Sequence, residues 1–366
     1  MKRQIKQTAV RLRNFLRSWA DRLTSVKKTQ AEVDALYRFM HKYIHDNERA
    51  PDLAAAQTAS AFGFQWAELQ DGEYMTRDPW FQRNVTRILC EQELMLPASW
   101  FPGKQVLDCG CGGGRWSYGL AKLGANVTAV DINQSCLDAT REATAPFSVE
   151  KSFVKSPLEE LGENLTRGDG YDLVFSWGVL HHCRSFNESL RQIASFVKEG
   201  GIIYLFLYGH EPPGYGHENE FEIFKKRIHY NALPDWESQE AFLERLAGGN
   251  RDRMNKKHDK LAPLLNRRHK FRDVANFLEQ LGFTDVQLTK RMPSTWEETF
   301  RTGATHQLFI RAVRGDATNV RSLSLPQADP PYWIWKYRCP QFGDRVVDKS
   351  DAWQQTVAEV PSMVDA

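Results

Sequence analysis

Between residues 104 and 208 the chain alternates short apolar runs with amphipathic stretches. Gln105 to Cys109 reads as a strand, 116–123 as a helix stopped by Gly124, and 126–130 as a second strand. A helix over 136–143 leads to a short third strand at Phe153-Val154. Tyr171 to Trp177 reads as a fourth strand, 186–197 as a helix, and 202–208 as a fifth strand opened by Gly200-Gly201. Strands separated by helices predict a parallel, doubly wound α/β sheet.

Outside that stretch the pattern turns helical. In residues 1–28, Ile5, Ala9, Leu12, Leu16, Trp19 and Leu23 recur at three- and four-residue steps, which makes one apolar stripe. The same stretch holds nine Lys or Arg and one acid, Asp21. It reads either as a helix lying on an anionic membrane surface or as one docked on the protein or on a partner. Residues 29–100 read as a helical N-terminal cap: helical spacing runs over 31–43, restarts at Ala50-Pro51-Asp52, and resumes over 85–94. In between lie Phe62, Phe64, Trp66, Tyr74 and Trp80, candidates to roof a pocket. After Tyr208 the alternation stops, and 209–269 reads as a helical insertion over the ligand edge of the sheet. It returns with a helix over 272–281, Gly282 as its stop, and strands at 286–290 and 307–313. The catalytic domain is thus expected over 101–315. The tail, 316–366, is polar and Pro-rich at first but carries Tyr332-Trp333-Ile334-Trp335.

Composition narrows the class. The chain has 366 residues, 42% apolar and 26% charged, which suits a globular protein and excludes a mainly disordered one. Its formal charge of +2 says little about partners. No apolar run reaches the roughly 18–20 residues of a membrane-spanning helix. Six cysteines show no paired framework, so a cytoplasmic, reducing setting is expected, peripheral at a membrane if the first helix binds one. Cys109 and Cys111 lack a second close pair to complete a zinc site, and no metal is expected.

Candidate chemistry concentrates at Val106-Leu107-Asp108-Cys109-Gly110-Cys111-Gly112-Gly113-Gly114-Arg115. An apolar strand ends in an acid, runs into glycines, then enters a helix. Glycines let the backbone turn sharply and a ligand approach closely. The second strand ends at Asp131, 23 residues after Asp108, where a carboxylate can accept from a ribose diol. Ligands of an open parallel sheet sit beyond the carboxyl ends of its strands, so an adenosine-type cofactor is expected. The glycines run Gly110-x-Gly112-x-Gly114 rather than in the dinucleotide spacing. An acid two residues before the first glycine would repel a pyrophosphate but suits a cationic ligand.

These motifs resemble the class I S-adenosylmethionine-dependent methyltransferases of small-molecule type, closely over 104–208 and more loosely over 270–313. The resemblance implies a Rossmann-like sheet with N-terminal helices, a helical insertion after the fifth strand, and S-adenosyl-L-methionine as cofactor. Asp108, Gly110, Cys111, Gly112 and Gly114 match the first motif, whose glycine backbone cradles the methionine part. Asp131 matches the acid that holds the ribose hydroxyls, and Ile132 its neighbour packing on adenine. Trp177 and Gly178 belong to Tyr171 to His182, which looks like the fourth-strand motif running past the sulfonium. Where the family often has an acid near the adenine amine, this sequence has Ser156-Pro157, with Glu159 displaced.

Methyl transfer needs an acceptor aligned in line with the methyl and, for a hydroxyl or acidic carbon, a base. His181 and His182 follow the fourth strand; a neutral imidazole is a natural base, and equally a loop-packing group. His258, Asp259 and His269 close the insertion, in a stretch loosely similar to one in methyltransferases acting on sugars, lipids and secondary metabolites. Ser60 to Trp66 resembles a short Ser-Phe-Gly-x-x-Trp element of the same subset. The expected function is methyl transfer to a small molecule, by O-, N- or C-transfer. A protein or RNA methyltransferase, a nicotinamide-dependent oxidoreductase and a non-catalytic partner protein are the competing readings. Basic residues form no single stripe, so no nucleic-acid partner is expected.

Overall fold

The computed structural model describes residues 50–69, 75–209, 235–250, 253–263, 265–267, 269–289 and 307–315, with positions 226, 230 and 233. The readings for 1–28, 31–43, Tyr74 and 316–366 lie outside the described residues.

Seven strands form one sheet: β1 (Gln105–Cys109), β2 (Asn126–Asp131), β3 (Lys151–Lys155), β4 (Tyr171–Trp177), β5 (Val197–Tyr208), β6 (Phe283–Leu288) and β7 (Gln307–Arg314). Their order is β3-β2-β1-β4-β5-β7-β6. β1 to β5 run parallel, while β7 runs antiparallel to both β5 and β6. The chain crosses from β1 outward to β3, then returns to β4 on the other side, so a crevice opens beyond the ends of β1 and β4. This is the Rossmann-like, doubly wound sheet that the alternating pattern predicts.

Both faces of the sheet are covered, which is why its central strands read as near-continuous apolar runs. Leu107, Val174, Ile203, Leu205 and Ile310 point to one face, where α6 (Phe186–Ser195) and α9 (Phe271–Gln280) pack. Val106, Leu173, Phe175, Tyr204 and Phe309 point to the other, under α2 (Pro79–Ile88) and α3 (Arg115–Lys122). α9 buries Phe271, Val274, Phe277 and Leu278, one stripe at helical spacing. Each such side chain contributes about 1.5–3 kcal/mol on burial. The helix starts are set locally: Asp78 accepts from Trp80 N at 2.9 Å with Pro79 at the first turn of α2, and Ser185 accepts from Glu188 N at the start of α6.

Several boundaries differ from the sequence pattern. The helical stretch that opens at Ala50 runs on through the aromatic cluster at 60–66 as one helix, α1 (Ala50–Glu68). α6 ends at Ser195 because Phe196 O accepts from Tyr171 N and Val197 pairs with Tyr171, so β5 begins five residues earlier than its apolar run at 202 suggests. α4 (Gln134–Thr144) and α5 (Leu161–Asn164) fill the other crossovers. α7 (Trp236–Ala247) and α8 (Met254–Leu261) come from the insertion after β5.

α1 and the insertion are tied to each other. Gln57 donates to Ala262 O at 2.9 Å, Thr58 Oγ1 accepts from Leu265 N at 2.9 Å, and Gln65 donates to Asn255 Oδ1 at 3.0 Å. Together they roof the edge of the sheet where the strands end. Among the described residues no helix is long and apolar enough to cross a membrane.

Candidate active site

Beneath that roof lies a cleft of about 670 Å³ at the carboxyl ends of the strands. Its floor starts at the turn after β1. Gly110 has φ +80°, and a Cβ there would stand 2.3 Å from Val179 Cγ2. No other residue fits that conformation without moving the loop after β4. Gly112 N donates to Asp131 Oδ2 at 3.0 Å, and Asn133 N donates to Asp131 Oδ1 at 2.9 Å. These bonds aim the carboxylate at the end of β2 and leave lone pairs for a ligand's hydroxyl groups. Beside it Ile132, 43% exposed, offers the cleft an apolar side chain that a ring could cover.

Gly110, Gly112, Asp131, Ile132, Ser156, Pro157, Trp177 and Gly178 all line this cleft, so the structure brings together eight of the positions the motifs single out. Three others sit behind it. Asp108 is 1% exposed and accepts from Ser117 Oγ of α3 at 2.5 Å. Burial above all raises its pKa to about 7, with the nearby Asp131 charge adding to the rise. Cys111 packs with Ala129 and Leu137 and receives a bond from Thr140 Oγ1 at 3.2 Å. Gly114 begins α3 against Thr140. Ser156 Oγ donates to Pro157 O at 2.7 Å and accepts from Asn164 Nδ2 at 3.1 Å, whereas the displaced acid Glu159 lines the cleft.

The five candidates for handling the acceptor separate by location. His182 and Asp259 line the cleft. His182 Nδ1 donates to Leu265 O at 2.5 Å, which fixes its tautomer. His181 is buried below, stacked on Tyr208 with centroids 3.9 Å apart. His258 belongs to α8 and faces α1. Its Nε2 donates to Ala61 O at 3.0 Å and its Nδ1 meets Tyr230 OH at 2.8 Å, and burial lowers its pKa to about 4. It joins the roof rather than facing the cleft. His269 packs on Phe186 with centroids 4.0 Å apart. Neighbours on a helix project about 100° apart, which is why His258 and Asp259 face different surroundings.

Three residues of this region escape sequence reasoning. Arg115 lines the cleft with its guanidinium 4.4 Å from the Trp177 ring. Tyr208, the last residue of β5, donates from its OH to Asp259 Oδ2 at 2.7 Å. Arg267, 1% exposed, donates to the carbonyls of Cys183 and Arg184, and its backbone N donates to His181 O at 2.9 Å. It thereby straps the His181–Arg184 loop to the end of the insertion. Tyr208 at the end of a central strand and Arg115 at the close of the glycine motif offered a positional signal but no role. Trp66 had one, as a member of the aromatic cluster, and a Cβ on Gly112 would stand 2.9 Å from its ring.

The donor set fits S-adenosylmethionine. Asp131 suits a ribose diol, Ile132 an adenine face, the glycine backbone a close-lying chain, and Arg115 a carboxylate.

Residues 106–201 match a family described as a methyltransferase domain. The chain is 37% identical over 102 residues to a ubiquinone biosynthesis O-methyltransferase of Shewanella pealeana, covering 28% of this chain and 42% of that protein. A protein of the same name from Bordetella avium is 30% identical over 164 residues, covering 45% and 64%. The chain thus spans about half the length of the curated relatives it matches. A solved Burkholderia thailandensis 1,6-didemethyltoxoflavin-N1-methyltransferase overlays 73% of this chain and 91% of its own at 19% identity. Its TM-score is 0.42, too low a likeness to bear on function.

Proposed function

We propose, from the premise that residues 106–201 belong to the class I S-adenosylmethionine-dependent methyltransferases, that the whole chain moves a methyl group from S-adenosylmethionine to a small-molecule acceptor. The observation that carries this reading is the Asp131 carboxylate, aimed by two backbone N–H groups across a glycine turn, with exposed Ile132 beside it.

The bound cofactor supplies an electrophilic methyl on a sulfonium. This chain's part is to hold and align. Asp131 would accept from the ribose hydroxyls, Ile132 and Pro157 would flank the base, and the backbone at Gly110 and Gly112 would hold the methionine part. Arg115 would pair with its carboxylate. Trp177, the last residue of β4, and Gly178 after it would serve the methyl end, with α1 and α8 excluding water above.

The acceptor occupies the half of the cleft floored by Phe206, Tyr208 and Phe309. That aromatic floor under a helical roof suits a sugar, lipid-linked or secondary-metabolite acceptor with an apolar face. The O-methyltransferase names of the relatives support oxygen as the methylated atom. The apolar stripe and nine basic residues of 1–28 support peripheral contact with a membrane or a partner; equal flotation on anionic liposomes with and without those residues removes the membrane reading.

Incubation with methyl-tritiated S-adenosylmethionine and fractionated cell extract tests the function. Label enters the deproteinised small-molecule fraction if the reading holds. Label confined to protein or RNA transfers the chain to that competing class, and no label at all ends the enzymatic reading.

A further inference from the structure

In the acceptor half of the cleft, one polar pair joins the sheet to the roof. Tyr208 ends β5, next to the end of β4, since Gly178 N donates to Phe206 O at 3.1 Å. Its phenol is held in place: the ring stacks on His181 at 3.9 Å and meets His182 edge-on at 5.5 Å, and its carbonyl accepts from His269 N at 2.9 Å. From that fixed point the OH donates to Asp259 Oδ2 at 2.7 Å, and both residues line the cleft. Among the described residues the other acids lining the cleft are Asp131, which ends β2, and Glu159 and Glu160, which follow β3, all at the adenine end. His258 has both nitrogens engaged within the roof, and His182 commits Nδ1 to Leu265 O.

The geometry points to Asp259 as the proton acceptor for a hydroxyl-bearing methyl acceptor, with Tyr208 as its positioning residue. This inference rests on the methyltransferase reading above. A carboxylate has about four lone-pair sites, and the bond from Tyr208 takes one of them and orients the group. Asp259 takes the hydroxyl proton as an oxygen lone pair forms the new O–C bond to the methyl. The electron pair of the breaking C–S bond stays on sulfur, which passes from sulfonium to neutral thioether. One methyl moves, one proton ends on the carboxylate, and the positive charge of the sulfonium leaves with that proton. Among the described residues the charged and titratable groups sharing this half are His182 and Arg184 after β4 and Lys256 on α8, with His181 and His258 behind them; α1 faces it with the uncharged Gln65.

The test measures S-adenosylhomocysteine affinity by calorimetry for each variant, and label transfer from methyl-tritiated S-adenosylmethionine to the deproteinised extract across pH. Asp259→Asn should lower transfer about 100-fold or more while affinity for S-adenosylhomocysteine stays within about twofold. Asp259→Glu, which keeps a carboxylate, should retain clearly more transfer than Asp259→Asn. Tyr208→Phe should move the acidic limb of the rate profile up by about one pH unit, because the ionised carboxylate loses a donor. Equal losses in the Asn and Glu variants, an Asn variant within about threefold of wild type, or an unmoved limb in Tyr208→Phe would each overturn the base assignment. Those outcomes leave the methyltransferase reading standing. Wild-type protein that labels nothing removes both.

Discussion

Asp108 offers a sharp test of how burial sets charge in this fold. It is 1% exposed behind the glycine turn, with its pKa raised from 3.8 to about 7 chiefly by desolvation. A group whose folded value lies above its unfolded value binds protons more tightly when folded. Stability contributed by the protonated form is therefore complete below pH 3.8 and is lost as pH rises toward 7. The gap corresponds to on the order of 4 kcal/mol in all, at about 1.4 kcal/mol per pH unit. Asp108→Asn keeps an oxygen to accept from Ser117 Oγ but cannot ionise. Relative to wild type the variant should gain about 3 kcal/mol between pH 5 and pH 8, with the gain levelling off above about 7. Urea unfolding followed by circular dichroism at several pH values measures it. A stability difference independent of pH would mean that the carboxylate is already ionised in the folded chain, and the desolvation reasoning would fail.

Three further outcomes follow from other sites. Asp131→Ala should weaken S-adenosylhomocysteine binding by about 1–3 kcal/mol in calorimetry, and unchanged affinity would refute the ribose assignment. Gly110→Ala forces a Cβ to 2.3 Å from Val179 Cγ2 at φ +80°, so its urea midpoint should fall by the equivalent of about 2 kcal/mol or more; an unchanged midpoint would show the turn to be pliable. His258 has a folded pKa of about 4, below its unfolded 6.5, so its contribution is complete above 6.5 and lost as pH falls toward 4. Relative to His258→Gln, wild type should lose on the order of 3 kcal/mol over that window in acid titrations of stability, and parallel curves would place the imidazole in water.

Much of the sheet was legible because its strands are buried on both faces. Gln105–Cys109 and Tyr171–Trp177 are bounded in the structure where the apolar runs are bounded in the sequence. The first glycines and Asp131 were legible for a related reason: a turn at φ +80° accepts little else, and an acid closing an apolar strand stands out. The start of β5 was hidden because Lys198 to Gly201 interrupt the apolar pattern while Val197 already pairs with Tyr171. The roof was hidden because α1 packs against parts of the chain about 200 residues away, a dependence no local period encodes. The pairing of Tyr208 with Asp259 was hidden for the same reason, since the two lie 51 residues apart. Asp108 reads in the sequence as a ligand-facing acid, yet strand alternation turns it under α3, toward Ser117.

The claim on which the rest depends is that the cleft beyond β1 and β2 takes a sulfur-bearing adenosine rather than a dinucleotide. Calorimetric titration of the full chain with S-adenosylhomocysteine and, separately, with NADH tests it directly. One-to-one binding of S-adenosylhomocysteine with no heat from NADH is the predicted result. Saturable NADH binding, or silence with S-adenosylhomocysteine, would contradict it.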